Sequence, residues 1–558
     1  MSKKNSKKPT KAKKVVKKGA RKTHKSFKKP VLQIPHVVVV WIERLVWLLI
    51  TLGITKGLAE RFYVQDTDSA LFFNLLSTKS IDESKGQEFN NSFFDLIGLV
   101  QSGLVTADTS YLKFDLGESV SLIQVHAYML YFLIHSIPNA LFSNFYFPFL
   151  LLAVSYVIGL KSLVNYFKLN RISLIGAGIF LSGVIFSPVF VGSLLGQNYL
   201  DRLFFGPAIY VLLNITKPDK SRKSMISVAL MAVIGSCISE RASLMMGVIL
   251  IFSVLLLGVK RKSERVIFGS LGLAGISWYG FWSSKISDSF YTSSVAFESL
   301  RQNFLQGMNG VRTPGLSIFV IANLSLLLLS FLAPRYLFLT IISLVPNVLV
   351  SVGGGELTSF TSHYHALYLP ILLVSAAVGT TNLSKEFFSK RLTKFCFGLL
   401  FIGIVVFSNF VSVNPKPTDL NFSIAKMIGK SLDVVGLAPK EITSVRYQAK
   451  KDVHTLLTKI KSDGVVAPPE LMPGLVVKGV KEISFFPIGL GETKYVIASY
   501  LNEDLANPYV DTFGLVPPEL LKVWGPIQQD VIDKYYLEVD RFIGSQKTYI
   551  VYELITPT

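Results

Sequence analysis

Cysteine is nearly absent from this sequence, and acidic residues are scarce. Only Cys237 and Cys396 occur among 558 residues, and both lie in apolar segments, so no disulfide framework is expected. Lys and Arg number 57 against 36 Asp and Glu, and charged residues make up only 17% of the chain. Half of the residues are hydrophobic, which is more apolar surface than a soluble fold is expected to hide. The composition therefore predicts a lipid-embedded chain.

Nucleotide-binding signatures are missing as well. The chain has no P-loop, no Gly-x-Gly-x-x-Gly segment and no internal repeat. The net charge of +21 does not indicate nucleic-acid binding, because Lys3 to Lys29 hold 14 basic and no acidic residues, leaving +7 (21 − 14) elsewhere. Residues 1–35 have too few large apolar side chains to fold, so a disordered cytoplasmic tail is predicted. The tail either sets membrane topology or attracts anionic lipid.

Long apolar runs follow the tail and predict about eleven transmembrane helices within residues 36–413. The run 121–138 is ambiguous, because it carries Gln124, His126 and His135. If it lies at the membrane interface, all short basic loops fall on the side of the N-terminal tail, as the positive-inside rule requires. The expected fold is an all-α polytopic protein of the plasma membrane with a long first external loop, 61–144. The expected spans are 37–58, 145–166, 172–194, 203–215, 224–239, 242–259, 265–282, 315–333, 335–352, 365–381 and 393–413.

The composition changes after Asn414-Pro415-Lys416-Pro417. A helix is predicted over 450–460, and strands are predicted at 464–467, 483–486 and 495–499. Residues 414–558 are therefore expected to form a small α/β domain, on the extracytoplasmic side under the predicted topology.

Four polar segments on the predicted external face could carry chemistry. Asp66 and Asp68 follow the first span, where two carboxylates can act as a general base, bind a divalent cation such as Mg²⁺ or Mn²⁺, or cap a helix. Asp201-Arg202 and Glu240-Arg241 lie at the ends of apolar runs, where they form either internal ion pairs or a shared polar cavity. Glu356 precedes His363 and His365, which can bind phosphate, move protons, ligate a metal or anchor the chain at the interface.

Several segments resemble domain-of-unknown-function family 2079, a family of predicted membrane proteins. The clearest is Ser343-Leu344-Val345-Pro346-Asn347 followed by Ser362-His363-Tyr364-His365-Ala366 and Leu369-Pro370. The sequence departs from that pattern at Leu200-Asp201-Arg202, where an Asp-Phe-His-Glu run is expected, and at Pro473-Gly474, where Pro-His is expected. Further similar segments, in chain order, are Gln65–Phe72, Val125–Tyr128, Gly235–Ser243 and Asp463–Pro487.

The family resembles the GT-C superfamily, glycosyltransferases that use polyprenyl-phosphate-linked sugars. The resemblance implies that Asp66 is the catalytic base, with Asp68 second, and that a glycan, lipid or protein acts as acceptor on the external face of the bilayer. A metal would be held by Asp66 and Glu356. The residues implied for substrate or phosphate binding are His126, Asp201, Arg202, Glu240, Arg241, His363 and His365.

Two other functions compete with this one. A transporter or lipid flippase would use Asp201, Glu240 and Arg241 to line a pathway. A non-catalytic assembly protein would keep the fold and present residues 414–558 to partners. The departure at Leu200-Asp201-Arg202 keeps this last hypothesis open.

Overall fold

The computed structural model describes residues 36–61, 147–185, 200–217, 220–290, 314–345, 363–386, 464–468, 482–486, 493–502, 528–543 and 547–555, with isolated positions between them. Contacts divide the chain into two units, residues 1–47 and residues 48–558. The described part of the first unit is the start of α1 (His36–Arg61), where Trp41 and Leu45 are exposed.

The described elements are mainly helices, and most of them are short. The helices, in chain order, are α1 (His36–Arg61), α2 (Phe147–Leu169), α3 (Leu174–Ile185), the 3-10 helix η1 (Leu200–Phe204), α4 (Phe205–Ile215), α5 (Arg222–Ser236), α6 (Glu240–Leu255), α7 (Lys262–Phe290), α8 (Pro314–Ala322), α9 (Leu324–Ser330), α10 (Pro334–Leu344), the 3-10 helix η2 (His363–Ala366) and α11 (Leu369–Glu386). Residues 528–535 are also helical.

The prediction of about eleven transmembrane helices is wrong. Within the described ranges, one helical stretch, Phe149–Leu169, is both long and apolar enough to cross a membrane. The apolar runs instead form helices such as α3, α4 and α10, of 12, 11 and 11 residues, whereas a span takes about 20. Apolar stretches of about 10–14 residues are typical of buried core helices. The GT-C-like polytopic fold and the multi-pass plasma-membrane placement, with its assignment of inside and outside, are therefore not supported.

A continuous hydrophobic core joins the helices of the second unit. α6 packs on α7, α2 on α4, and α9 on α11. The approach of α6 to α7 depends on Gly247, where an added Cβ would lie 2.7 Å from the carbonyl oxygen of Gly272. α4 is buried along almost its whole length, so it is the centre of this core.

The C-terminal region contains a five-stranded mixed sheet in the order β2-β1-β3-β5-β4. β1 pairs in parallel with β2 and β3, whereas β5 pairs antiparallel with β3 and with β4. The predicted strand at Gly464–Ala467 is confirmed, and those near 483 and 495 differ only at their ends. The strands are β1 (Gly464–Ala467), β2 (Glu482–Phe485), β3 (Tyr495–Leu501), β4 (Tyr536–Ile543) and β5 (Lys547–Leu554).

The two faces of the sheet belong to different hydrophobic clusters. Val465, Ile497 and Val551 belong to the same cluster as the helical core. Val466 and Val496, whose side chains alternate with these, form a second cluster with Ile532. The predicted helix over 450–460 and the predicted surface helices of the first loop lie outside the described residues. The domain bounds 1–35, 36–413 and 414–558 stay predictions.

Candidate functional site

A buried polar cluster forms where η1, the start of α6 and η2 meet. η1 carries Asp201 and Arg202, α6 begins with Glu240 and Arg241, and η2 carries His365. η1 packs against both α6 and η2. Asp201 and Arg202 are each 2% exposed, Glu240 is 5% exposed and His365 is 0% exposed. Five of the residues singled out in the sequence are thus brought together, and we call them, with Ser239, the polar cluster.

Ser239 connects the first two segments of the polar cluster. Its hydroxyl donates a hydrogen bond to the carboxylate Oδ1 of Asp201 and accepts one from the backbone N–H of Ala242 at 3.1 Å. Ser239 is therefore the N-cap of α6, where a hydroxyl satisfies a helix N–H that has no partner within the helix. A Ser directly before an apolar run is a recognised start signal, so the cap was visible in the sequence. Its bond to Asp201 was not, because that residue lies 38 positions away.

Glu240 and Arg241 extend the polar cluster at the start of α6. A carboxylate in the first helical turn is favoured by the helix dipole, typically by about 0.3–1 kcal/mol. The Nε of Arg241 lies 3.9 Å from Oε1 of Glu240, at the long end of the range for an ion pair. The Arg241 side chain is 22% exposed, so solvent reaches the cluster on this side.

Arg202 is the largest charged side chain buried in the described part of the chain. Burial lowers the pKa of its guanidinium, and the neighbouring Tyr156 hydroxyl opposes this shift. Arginine nevertheless stays protonated in proteins, so a cation remains in this interior. Keeping an ion there costs several kcal/mol unless the surroundings compensate. The sequence contained no sign that Tyr156, within α2, would contact Arg202.

The position of η1 is fixed by a close contact with α2. The Ser155 hydroxyl donates to the carbonyl of Leu203 at 2.7 Å and accepts from the N–H of Gly206 at 2.9 Å. A Cβ at Gly206 would lie 2.4 Å from the backbone oxygen of Ser155, so only glycine fits at this contact. This contact holds the turn that presents Asp201 and Arg202.

His365 is held by aromatic neighbours. Its Nδ1 lies 2.9 Å from the Tyr368 hydroxyl, and its ring stacks on Phe319 with 6.1 Å between ring centroids and 18° between planes. His363 lies in the same 3-10 turn. Asp66, Asp68, His126 and Glu356 lie outside the described residues, so their roles stay predictions.

The polar cluster combines groups of complementary chemistry. Two carboxylates and two guanidinium groups balance in formal charge, and an imidazole and a serine supply groups that exchange protons or hydrogen bonds. The hydroxyls of Tyr156 and Tyr368 neighbour the cluster at Arg202 and His365. Guanidinium groups bind phosphate through paired N–H donors. Among the residues that the structure describes, no group of three or more His, Cys, Asp or Glu side chains could hold a metal ion. The residues predicted to hold Mg²⁺ or Mn²⁺, Asp66 and Glu356, lie outside the described residues, so that site stays a prediction.

Comparison with known proteins adds no assignment: no protein-family model and no curated protein matches this chain. The resemblance to family 2079 therefore stays a prediction based on the segments quoted above.

Proposed function

We propose that this protein is a glycosyltransferase that moves a sugar from a polyprenyl-phosphate-linked donor to a glycan, lipid or protein acceptor. The observation that supports the proposal best is the convergence of Arg202 and Arg241 with Asp201, Glu240 and His365 in one polar cluster. A buried and a partly exposed guanidinium group beside proton-exchanging groups suit a reaction in which a phosphate leaves as negative charge develops on it.

The proposed reaction is a nucleophilic substitution at the anomeric carbon of the sugar. A carboxylate takes the proton from the acceptor hydroxyl, and the acceptor oxygen forms a bond to the anomeric carbon. The bond between that carbon and the phosphate oxygen breaks, and the polyprenyl phosphate leaves with the electron pair. Asp66 is the proposed base, with Asp68 as the second choice. Arg202 and Arg241 would bind the leaving phosphate, and no step depends on a metal.

Each residue of the polar cluster has a proposed part. Ser239 and Glu240 fix the start of α6 and so the backbone that carries Arg241. Asp201 is held by Ser239, and we propose that it orients substrate hydroxyls. The pair of His365 and Tyr368 would supply a hydrogen bond to the donor. Substrate would approach from the side of Arg241, the partly exposed member of the cluster.

The test is transfer of radiolabelled sugar from a panel of polyprenyl-phosphate donors by the purified full-length chain. Arg202→Lys keeps the charge but removes the planar paired donors, so we expect kcat to fall about 10²-fold. Arg541→Lys is the matched control, because Arg541 pairs with Glu538 on the exposed surface of β4, with N–O distances of 2.9 and 2.7 Å. The control is expected to transfer sugar at the wild-type rate.

Asp66→Asn and Asp68→Asn test the base. Loss of transfer in the first variant, with unchanged unfolding by circular dichroism, would support Asp66. Equal transfer by both variants and the wild type would reject both carboxylates as the base. No transfer by the wild type from any donor, or wild-type transfer by Arg202→Lys, would overturn the proposed function.

A non-catalytic role is the competing proposal, and one observation favours it. Asp201 bonds to Ser239 and Glu240 pairs with Arg241, so the carboxylates of the polar cluster already have partners inside the protein. In that case Asp201→Asn would lower the free energy of unfolding while the wild type transfers no sugar. Transfer with a selective kcat loss would exclude this alternative.

A further inference from the structure

A second buried charged group lies at the other end of α4. The Nζ of Lys220 pairs with Oε2 of Glu264 at 2.8 Å, and both side chains are at most 3% exposed. The same Nζ donates to the carbonyl oxygens of Ile215 at 2.6 Å and Lys217 at 3.2 Å, at the C-terminal end of α4. Lys220 therefore joins the end of α4 to the start of α7.

Arg261 strengthens this connection. Its guanidinium donates to the backbone oxygen of Lys220 at 3.1 Å and lies 3.9 Å from Oε1 of Glu264. Arg265 donates from Nε to the oxygen of Val259 at 2.7 Å, which closes the turn before α7. The connections α4–α5 and α6–α7 are thus fixed to one another, and we call them, residues 216–223 and 258–265, the basic face.

The basic face carries a large excess of positive charge. Its two segments contain eight basic and two acidic residues, a formal net charge of +6. One of the acids, Glu264, is buried against Lys220. Six of the basic side chains are exposed, and the buried pair holds their backbone in one array: Arg222, Lys223, Lys260, Arg261, Lys262 and Arg265.

The end of α2 adds to the same side of the molecule. Ser155 in α2 is bonded to Gly206 at the start of α4, and one turn further along both helices Gly159 lies close to Ile209, so the helices run in the same direction. The C-terminal end of α2 therefore lies at the same end of the helices as the C-terminal end of α4. Lys168 and Arg171 are exposed there.

Exposed apolar side chains lie beside these cations. Leu255 is 70% exposed, Val266 is 60% exposed and Ile226 is 54% exposed, each within about one or two helical turns of the basic face. On α2 and α3, Leu169 and Leu174 are 66% and 93% exposed. Cations combined with protruding apolar side chains are typical of surfaces that bind at the boundary between lipid head groups and acyl chains. A nucleic acid or an acidic protein would match the charge but would leave these apolar groups in water.

We propose that the basic face binds the phosphate head groups of an anionic lipid bilayer, with the neighbouring leucine and valine side chains entering the head-group region. The inference goes beyond the proposed glycosyltransferase activity and does not depend on it. It requires no helix to cross the bilayer. The buried pair of Lys220 and Glu264 holds the two connections in place, so that their cations meet a planar surface together.

The test is co-sedimentation of the full-length chain with vesicles of phosphatidylcholine alone or with 30% phosphatidylglycerol. The variant carrying Lys223→Gln, Lys260→Gln and Lys262→Gln is expected to bind the anionic vesicles at least about tenfold more weakly, since each lysine near such a surface contributes about 1 kcal/mol. The matched control carries Lys3→Gln, Lys4→Gln and Lys7→Gln, which remove the same net charge from the N-terminal region. An equal loss in both variants would overturn the proposal, because net charge alone would explain the binding.

A second pair of measurements separates lipid from other polyanions. Leu255→Gln with Val266→Gln leaves every charge in place, and we expect at least a threefold loss of anionic vesicle binding and unchanged binding of a single-stranded oligonucleotide. Thermal unfolding by circular dichroism checks that each variant is folded. Tighter oligonucleotide than vesicle binding by the wild type, or wild-type vesicle binding by the apolar variant, would contradict a lipid partner.

Discussion

The polar cluster around Arg202 and the buried pair of Lys220 and Glu264 lie at opposite ends of α4, a helix of 11 residues that spans about 16 Å. Both ends bury a cation and a carboxylate, but they differ in composition. At Lys220 the cation meets one carboxylate, the last carbonyl of α4 and the carbonyl of Lys217, at 2.6–3.2 Å. At Arg202 the cation neighbours the Tyr156 hydroxyl, in a cluster that also holds carboxylates and an imidazole from separate segments. The arrangement at Lys220 suits a structural role that holds two connections together, and the arrangement at Arg202 suits a site for chemistry.

The largest effect is expected at the Lys220 end. Lys220→Met removes the cation and leaves the Glu264 carboxylate buried, which typically costs about 3–5 kcal/mol. The free energy of unfolding from denaturant titration measures it. Lys220→Met combined with Glu264→Leu should recover much of the loss, since an apolar pair replaces the ions. If Lys220→Met alone lowered the free energy of unfolding by less than about 1 kcal/mol, the pair would not hold the end of α4 to the start of α7.

At the Arg202 end, the largest effect is expected from Gly206→Ala. The added Cβ would meet the Ser155 backbone oxygen at 2.4 Å, so α2 must separate from the start of α4, at a cost of about 1–3 kcal/mol. Gly178→Ala in α3 is the matched control, because a Cβ there meets nothing within 4 Å and alanine favours a helix over glycine. Denaturant unfolding of both variants tests this. Equal stabilities would mean that the contact between α2 and the start of α4 is adaptable.

Ser239→Ala tests whether the cap and the polar cluster act together. Loss of an N-cap hydroxyl costs about 1 kcal/mol, and Asp201 also loses its hydrogen bond. Under the proposed function, kcat for sugar transfer should fall in Ser239→Ala even under conditions in which the variant is fully folded. Ser221→Ala is the control, because Ser221 caps α5 in the same way but lies in the basic face. A fall in kcat of similar size in the two variants would contradict a specific role for Ser239.

The smallest expected effect is a pH dependence of the free energy of unfolding, caused by the buried Tyr500 hydroxyl in β3. The Tyr500 hydroxyl donates to Gln529 at 2.8 Å and lies 2.9 Å from the Tyr552 hydroxyl. Burial raises the pKa of Tyr500, so above about pH 10 the unfolded chain loses this proton before the folded one does. Stability should therefore fall as pH rises, by about 0.8 kcal/mol at pH 10.5 from this group. Tyr500→Phe should show a correspondingly flatter pH dependence of unfolding, and an unchanged slope would argue against the shift.

Some of the fold was predictable from local pattern. The strand Gly464–Ala467 follows from its β-branched residues between turn signals, and these are local properties. The number of spans was not predictable, because an apolar run gives no measure of whether its residues face lipid or a protein core. α4 illustrates this: a span was predicted over 203–215, but Phe205–Ile215 form a short, central core helix.

The polar cluster was predictable in its charged members but not in its connections. Asp201, Glu240 and His365 stand out because ionisable residues beside apolar runs are costly unless they have partners. The partners themselves, Ser239 for Asp201 and Tyr368 for His365, depend on tertiary packing. Tyr156 was hidden for the same reason, since nothing in an apolar helix indicates which residue faces a distant arginine.

The two buried groups at the ends of α4 can form at different times during translation, because their residues are separated by different lengths of chain. Lys220 and Glu264 lie 44 positions apart, so their pair can form soon after residue 264 leaves the ribosome. The polar cluster needs η2, whose His365 lies 164 positions after Asp201. A growing chain can therefore form the pair of Lys220 and Glu264 well before η2, and with it the complete polar cluster, has been synthesised.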